Sequence, residues 1–232
     1  MSVAVHSIKP IKIDKPGTLW SMHGKPVFKE MFDNAREIHS EGMFKPKHGD
    51  VLLLHGGGDI WPGFYGEKPI SQCLTKSISI RDISERRVAE AAIEQGIPII
   101  GICRGAQWCC ILAGGSLFQH VNGHDTDHQI KTDDDQIFWT PQAHHQMMRT
   151  FMTCHEAIAW SHPAAISDVY LVGEGALPVE EWEQGWEIEV VFFPTVTGLG
   201  FQGHPDWAYN QQKTKPFYGY CQTQIEKWIL GR

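Results

Sequence analysis

Nowhere in the 232 residues is there an uninterrupted apolar run of about 18, the length a membrane-crossing helix needs. No block of lysine and arginine is present either, and the formal charge is −7, so nothing resembles a phosphate-binding footprint for nucleic acid. The opening MSVAVHSIKPIKIDKPG has one short apolar alternation followed by lysines and prolines, which makes a poor secretion signal. Internal repeats and low-complexity linkers are missing too. One domain over 1–232 is therefore expected, since two would be cramped at this length. Cysteine is sparse: Cys73, Cys103, Cys109, Cys110, Cys154 and Cys221. Adjacent Cys109 and Cys110 in a helical pattern read as buried thiols of a reducing compartment, and a cytoplasmic protein is expected.

What is present alternates between short apolar runs and helical segments. Val3 to Ile8 can form a first strand, while Lys9 to Asp50 holds a strand or a short helix. DVLLLHGGG is a buried strand, Val51 to His55, that ends in three glycines. In DISERRVAEAAIEQG, Asp82 or Ser84 is placed to cap a helix that closes at Gln95-Gly96, with Ile83, Val88, Ala89, Ala91 and Ala92 along one side. IPIIGI is the next strand and RGAQWCCILAGG the next helix. Continuous rather than alternating strand hydrophobicity points to an α/β fold with a mainly parallel central sheet and helices on both faces. Ile188–Phe193 and Leu199–Phe201 read as a strand pair joined by PTVTG. PFYGYCQTQIEKWILGR closes the chain as a helix with Tyr220, Ile225, Trp228 and Ile229 on its apolar side.

Three features carry chemistry. In GICRG, Gly101 and Gly105 lie two residues either side of Cys103, where an apolar strand meets a helix start. That is the spacing of a nucleophile elbow with cysteine in the serine position. A helix N-terminus there favours a thiolate and aims free N–H groups at a developing oxyanion. The bland alternative is a glycine-flanked core cysteine. The second feature is GFQGHPDWA, where His204 and Asp206 can share one side of an extended turn, the carboxylate orienting the imidazole; the alternative is a surface His-Pro-Asp turn. The third is HGGGD, in which Gly56, Gly57 and Gly58 can offer backbone N–H groups to an oxyanion together with the N–H of Arg104.

These pieces together resemble the class I glutamine amidotransferase superfamily, and within it the gamma-glutamyl-gamma-aminobutyrate hydrolase branch of peptidase family C26. The likeness is carried by LLLHGGGDIWPGFYGE (Leu52–Glu67), the stretch from Arg81 to Val121, AHHQMM (Ala143–Met148) and GFQGHPDWA (Gly200–Ala208). It implies a flavodoxin-like fold and a Cys-His-acid triad that attacks a gamma-glutamyl amide and hydrolyses the resulting thioester. Cys103 is then the nucleophile and His204 the base. Asp206 stands where the family usually has glutamate, shorter by one methylene. Gly57, Gly58 and Arg104 would form the oxyanion hole, and Gln107, His144 and His145 would contact substrate, unless the histidines only bond loop carbonyls. The family's usual Gln-Trp before the histidine is here Gln202-Gly203, and its V-x-G-I-T opening strand is missing.

Such an enzyme takes a small gamma-glutamyl substrate and no cofactor. It could instead supply ammonia to a separate synthetase partner, or be a catalytically reduced relative that binds partners through its acidic surface; copies of itself are a further partner. His124, Asp125, Asp127 and His128, like Asp133, Asp134 and Asp135, have metal-capable side chains, but neither stretch has EF-hand spacing and the mechanism needs no ion. No metal is expected.

Overall fold

The computed structural model describes residues 16–209 and 211–231. In chain order the first strands are β1 (Thr18–Met22), β2 (Asn34–Ile38), β3 (Val51–Leu54) and β4 (Ile99–Ile102). Short strands follow: β5 (Ser116–Phe118), β6 (His120–Val121), β7 (His128–Thr132), β8 (Ile137–Thr140), β9 (Met147–Arg149), β10 (Glu156–Ser161) and β11 (Tyr170–Leu171). The last are β12 (Ile188–Phe193) and β13 (Gly198–Phe201). The helices are α1 (Ile80–Glu94), α2 (Arg104–Leu112), α3 (Pro205–Ala208) and α4 (Lys215–Ile225).

Nine strands form one sheet in the order β2-β1-β3-β4-β13-β12-β10-β7-β8. Its β2-β1-β3-β4-β13 half is parallel, as expected, whereas β13-β12-β10-β7-β8 pair antiparallel, so the sheet of this α/β domain is mixed. Connection length explains the change. The loops after β7 and β12 are too short for the crossover that parallel neighbours require. The acidic triplet Asp133–Asp135 is one of these turns: Asp135 has φ 64°, and Asp134 accepts from Thr132 and Gln136.

All four residues of β3 are buried, because helices cover both faces. Alternate side chains choose opposite cores. Leu52 and Leu54 join Val88, Ala89 and Ala92 of α1 and Ala106 and Trp108 of α2. Leu53 joins Ile100, Phe217, Cys221 and Ile225 on the α4 face. Of the apolar side expected for the closing helix, Ile225 and Ile229 are buried, while Tyr220 and Trp228 pack at its margin.

Two local expectations change. The cap of α1 is Ser79, whose hydroxyl accepts from the Asp82 N–H at 3.0 Å while Asp82 accepts from the Ser79 N–H at 2.9 Å. Asp82 is thus the reciprocal partner of a capping box, and α1 starts earlier than its apolar pattern indicates. Ile83 is exposed rather than in the core. The 9–50 stretch, read as one element, contains β1 and β2; Val3–Ile8 lies outside the described residues.

Candidate active site

Cys103 occupies the junction between β4 and α2 with φ 50° and ψ −107°, a conformation that L-residues adopt only under constraint. Its glycine neighbours make the constraint tenable. A Cβ at Gly101 would lie 2.4 Å from the carbonyl group of Gly105, and one at Gly105 would lie 2.2 Å from the Leu54 oxygen. The elbow is therefore a backbone-on-backbone packing that no side chain can enter. The Cys103 N–H donates to Phe201 O at 2.7 Å, fastening the turn to β13. Burial pushes the Cys73 thiol up to about 11 and that of Cys109 to about 12, and also holds Cys110 and Cys221 well above the ordinary thiol value. Cys154 is exposed.

β13 runs beside β4 and delivers His204 to the same end of the sheet. Pro205 starts α3, so His204 is its N-cap, and the His204 N–H donates to Pro141 O at 2.9 Å. The ring is held on several sides. Nδ1 lies 3.2 Å from Asp206 Oδ1, and Trp207 stacks on the face at 3.7 Å between centroids. The Cys103 side chain lies close enough to the ring to act on its charge. Burial acts to lower the His204 pKa, but the Asp206 and Cys103 interactions outweigh it and raise it from 6.5 to about 9. Cysteine, histidine and aspartate are thus gathered at one end of the sheet, with the histidine–aspartate pair in contact. The sulfur also receives Gln202 Nε2 at 3.9 Å.

The glycine loop after β3 flanks this chain. A Cβ built on Gly56 would lie 2.7 Å from His204 Cε1 and 3.5 Å from Cys103 Cβ. The carbonyls of the loop are held from behind: Arg81 Nη2 donates to Gly56 O at 2.8 Å, and Arg104 Nη1 to Gly58 O at 2.7 Å. Arg104 is buried and is itself held by Asp82 at 2.6 Å and Glu85 at 2.8 Å; Arg81 meets the other Glu85 oxygen at 2.6 Å. Arg81, Asp82 and Glu85 were not among the residues expected at the site. Their spacing on one face of α1 was visible, but the glycine carbonyls they serve were not. With the Gly56 and Gly58 carbonyls tied back, the loop is fixed beside the elbow.

A cleft of about 600 Å³ opens here, lined among others by His23, Lys25, His55, Gly57, His204 and Trp207. Ala143 reaches it from the AHHQ segment, but Gln107, His144 and His145 are not among its lining residues. Gln107 donates to Gln146 O at 2.9 Å. His145 Nε2 lies 2.9 Å from Asp59 Oδ1. His144 is turned inward, with Nδ1 2.9 Å from the carbonyl oxygen of Gln146, and burial lowers its pKa to about 3. It joins His124, whose pKa is raised to about 9 because its interactions with the Glu187 and Glu189 carboxylates outweigh burial. His124, His144 and Glu189 each place one ligand-type atom within 4.8 Å of the others.

The fold agrees with known structures. It superposes on a GMP synthase component from Thermoplasma acidophilum, with TM-score 0.51 and 15% identity over 91% of this chain and 96% of that one. It also superposes on PurLQS from Thermotoga maritima, with TM-score 0.52 and 12% identity over 90% and 99% of the two chains. The fold matches the flavodoxin-like fold of class I glutamine amidotransferases. The family model for peptidase C26 matches residues 47–205, and the chain belongs to that family. The glutamine amidotransferase-like protein YvdE of Lactococcus lactis is 40% identical over 82 residues, 35% of this chain and 34% of that protein. Gamma-glutamyl-CDP-amidate hydrolase of Campylobacter jejuni is 39% identical over 57 residues, 25% of this chain and 24% of that protein. The match to YvdE thus spans about a third of its length. No helix among the described residues is long and apolar enough to cross a membrane.

Proposed function

We propose that this protein is a cysteine-dependent hydrolase that cleaves a gamma-glutamyl amide, glutamine or a gamma-glutamyl amine, through a thioester on Cys103. The observation that carries the reading is the juxtaposition of Cys103, in a constrained elbow, with the His204–Asp206 pair that lines the cleft. The Cys103 sulfur attacks the amide carbonyl, and the oxyanion is received by the N–H groups of Gly57, Gly58 and Arg104. The C–N bond breaks as His204 gives its proton to the departing amine. Water, deprotonated by His204, then splits the thioester to free the glutamyl carboxylate and restore the thiol pair. Asp206 holds the ring in one orientation across 3.2 Å despite its short side chain. Lys25, exposed on the cleft wall with no ion-pair partner among the described residues, is placed to meet the substrate's α-carboxylate.

The name of the Campylobacter relative supports hydrolysis of a gamma-glutamyl bond. Those of the structural neighbours support a second reading, a glutaminase component that passes ammonia to a synthetase partner. Product analysis separates them: purified protein is given glutamine and a panel of gamma-glutamyl amines, with Cys103→Ala as control. Free turnover of one gamma-glutamyl amine supports the hydrolase. Turnover of glutamine that rises only when a co-purifying synthetase is present supports the glutaminase component. No turnover by wild type with either sinks both.

A further inference from the structure

His124, which the sequence left without a role, and His144, which it placed at the substrate, meet on the antiparallel half of the sheet. His124, from the loop before β7, and His144, from the loop after β8, converge on Glu189 of β12. All three are buried. Each imidazole has one nitrogen hydrogen-bonded to an outer partner and a second, buried nitrogen that makes no hydrogen bond. His144 Nδ1 lies 2.9 Å from Gln146 O, and its Nε2 is buried with no hydrogen bond. An imidazole whose Nδ1–H donates to a carbonyl presents a bare lone pair at Nε2. His124 Nε2 meets Glu187 Oε2 at 3.1 Å, while its Nδ1 is buried without a hydrogen bond, 3.5 Å from Glu189 Oε1. A buried nitrogen without a hydrogen bond is costly, so two beside the same carboxylate call for a ligand.

The surroundings match those of a metal centre. Ligating histidines characteristically donate their second nitrogen to a carbonyl or carboxylate, the roles taken here by Gln146 O and Glu187. Ligating carboxylates are oriented in turn, and Glu189 accepts from Ser161 Oγ at 2.9 Å and Gln142 Nε2 at 2.9 Å.

We propose that His124 Nδ1, His144 Nε2 and a carboxylate oxygen of Glu189 bind a divalent transition-metal ion of zinc type. Two imidazoles and one carboxylate suit zinc, and bonds of about 2.0–2.1 Å bring tetrahedral donors to roughly 3.4 Å spacing, so the three close inward on the ion. The ion is structural. It clips the loops before β7 and after β8 onto β12, stretches far apart in the chain, where a clip removes the most chain entropy. The clip lies behind the catalytic strand: Gln202 N–H donates to Glu189 O at 2.8 Å, and His204 N–H to Pro141 O at 2.9 Å. The rival occupant of His124 Nδ1 is a proton, which would leave an imidazolium between Glu187 and Glu189 and no affinity for metal.

The test uses untagged Cys103→Ala protein, because a thiol beside His204 is itself a zinc site. After dialysis against a chelator it is titrated with Zn²⁺ in competition with a chromophoric indicator, and the zinc-loaded protein is examined by X-ray absorption. One Zn²⁺ per chain at micromolar affinity or tighter is expected, with imidazole scattering and oxygen but no sulfur. Glu187→Gln removes the charge behind His124 while its amide oxygen can still accept from Ser167 N–H and Tyr170 O–H, and it should weaken binding by about 10- to 100-fold. His144→Ala, with folding read by circular dichroism, should abolish it. Absence of stoichiometric binding, a ligand set without imidazole, or affinity unchanged in folded Glu187→Gln or His144→Ala overturns the proposal. Should His144→Ala not fold, the ligand set and Glu187→Gln decide.

Discussion

Replacing Asp206 by asparagine keeps the size of the side chain and removes its charge, which isolates what the carboxylate does for His204. The His204 pKa stands at about 9 against 6.5 for a free imidazole, and after the opposing effect of burial the Asp206 hydrogen bond is the largest cause that raises it. At neutral pH His204 is therefore protonated, and activity that needs this proton for the leaving amine should fall as pH rises through about 9. A carboxylate at hydrogen-bond distance moves a partner's pKa by about 1–3 units. Asp206 is partly exposed, so the lower end applies, and Asp206→Asn should move the alkaline limb of kcat/KM about one unit toward acid, roughly 1.4 kcal/mol. The loss of ring orientation adds to this, for a total fall of about 10- to 100-fold at the optimum. Asp206→Glu lengthens the arm by one methylene toward the family's usual residue and should keep the limb near its wild-type position. The assay is a pH profile of kcat/KM for the three proteins on the best gamma-glutamyl substrate. An Asp206→Asn profile that superimposes on wild type, in height and in limb position, would refute the reasoning.

Further outcomes follow from the same geometry. Gly101→Ala forces a Cβ to 2.4 Å from backbone atoms that cannot turn aside, so it should destabilise by about 3 kcal/mol or more, read as a lowered urea midpoint; an unchanged midpoint contradicts the elbow packing. In a Cys154→Ser background, limiting alkylation should label Cys103 ahead of Cys73, Cys109, Cys110 and Cys221, whose thiols burial keeps protonated, and mapping of adducts checks it. Lys25→Ala should raise KM several-fold with kcat nearly unchanged; an unaltered KM would remove Lys25 from substrate recognition. The raised His204 pKa also makes a stabilising contribution that is complete below about 6.5 and lost as pH climbs through about 9, so the melting temperature of wild type should fall over that interval more than that of His204→Gln.

The elements legible in the sequence are those whose signal is local. β3 and β4 are continuous apolar runs because both faces are covered, and α2 is bounded by an elbow and by Gly114 at φ 94°. His204 and Asp206 were readable because two neighbouring positions sufficed to bring them together. β2 was not readable: NAREI is an edge strand with only Ile38 buried, so it has neither alternation nor an apolar run. The direction of His144 was equally hidden. From AHHQ alone it could face substrate or the interior, and what draws it inward is Gln146 O together with residues of the distant β7 and β12 segments. The guanidinium pair behind the glycine loop escaped notice for the same reason, since Arg81 and Arg104 act on carbonyls contributed by another part of the chain.

The central claim is a thioester on Cys103, and acid quenching during steady-state turnover tests it most directly. Intact-mass analysis of wild type should then show one added glutamyl group, mapped to the peptide that contains Cys103 and discharged by hydroxylamine as the gamma-glutamyl hydroxamate. Cys103→Ala should show neither the adduct nor turnover. Turnover by wild type that leaves no hydroxylamine-sensitive adduct, together with a Cys103→Ala protein that keeps the wild-type rate, would contradict the account.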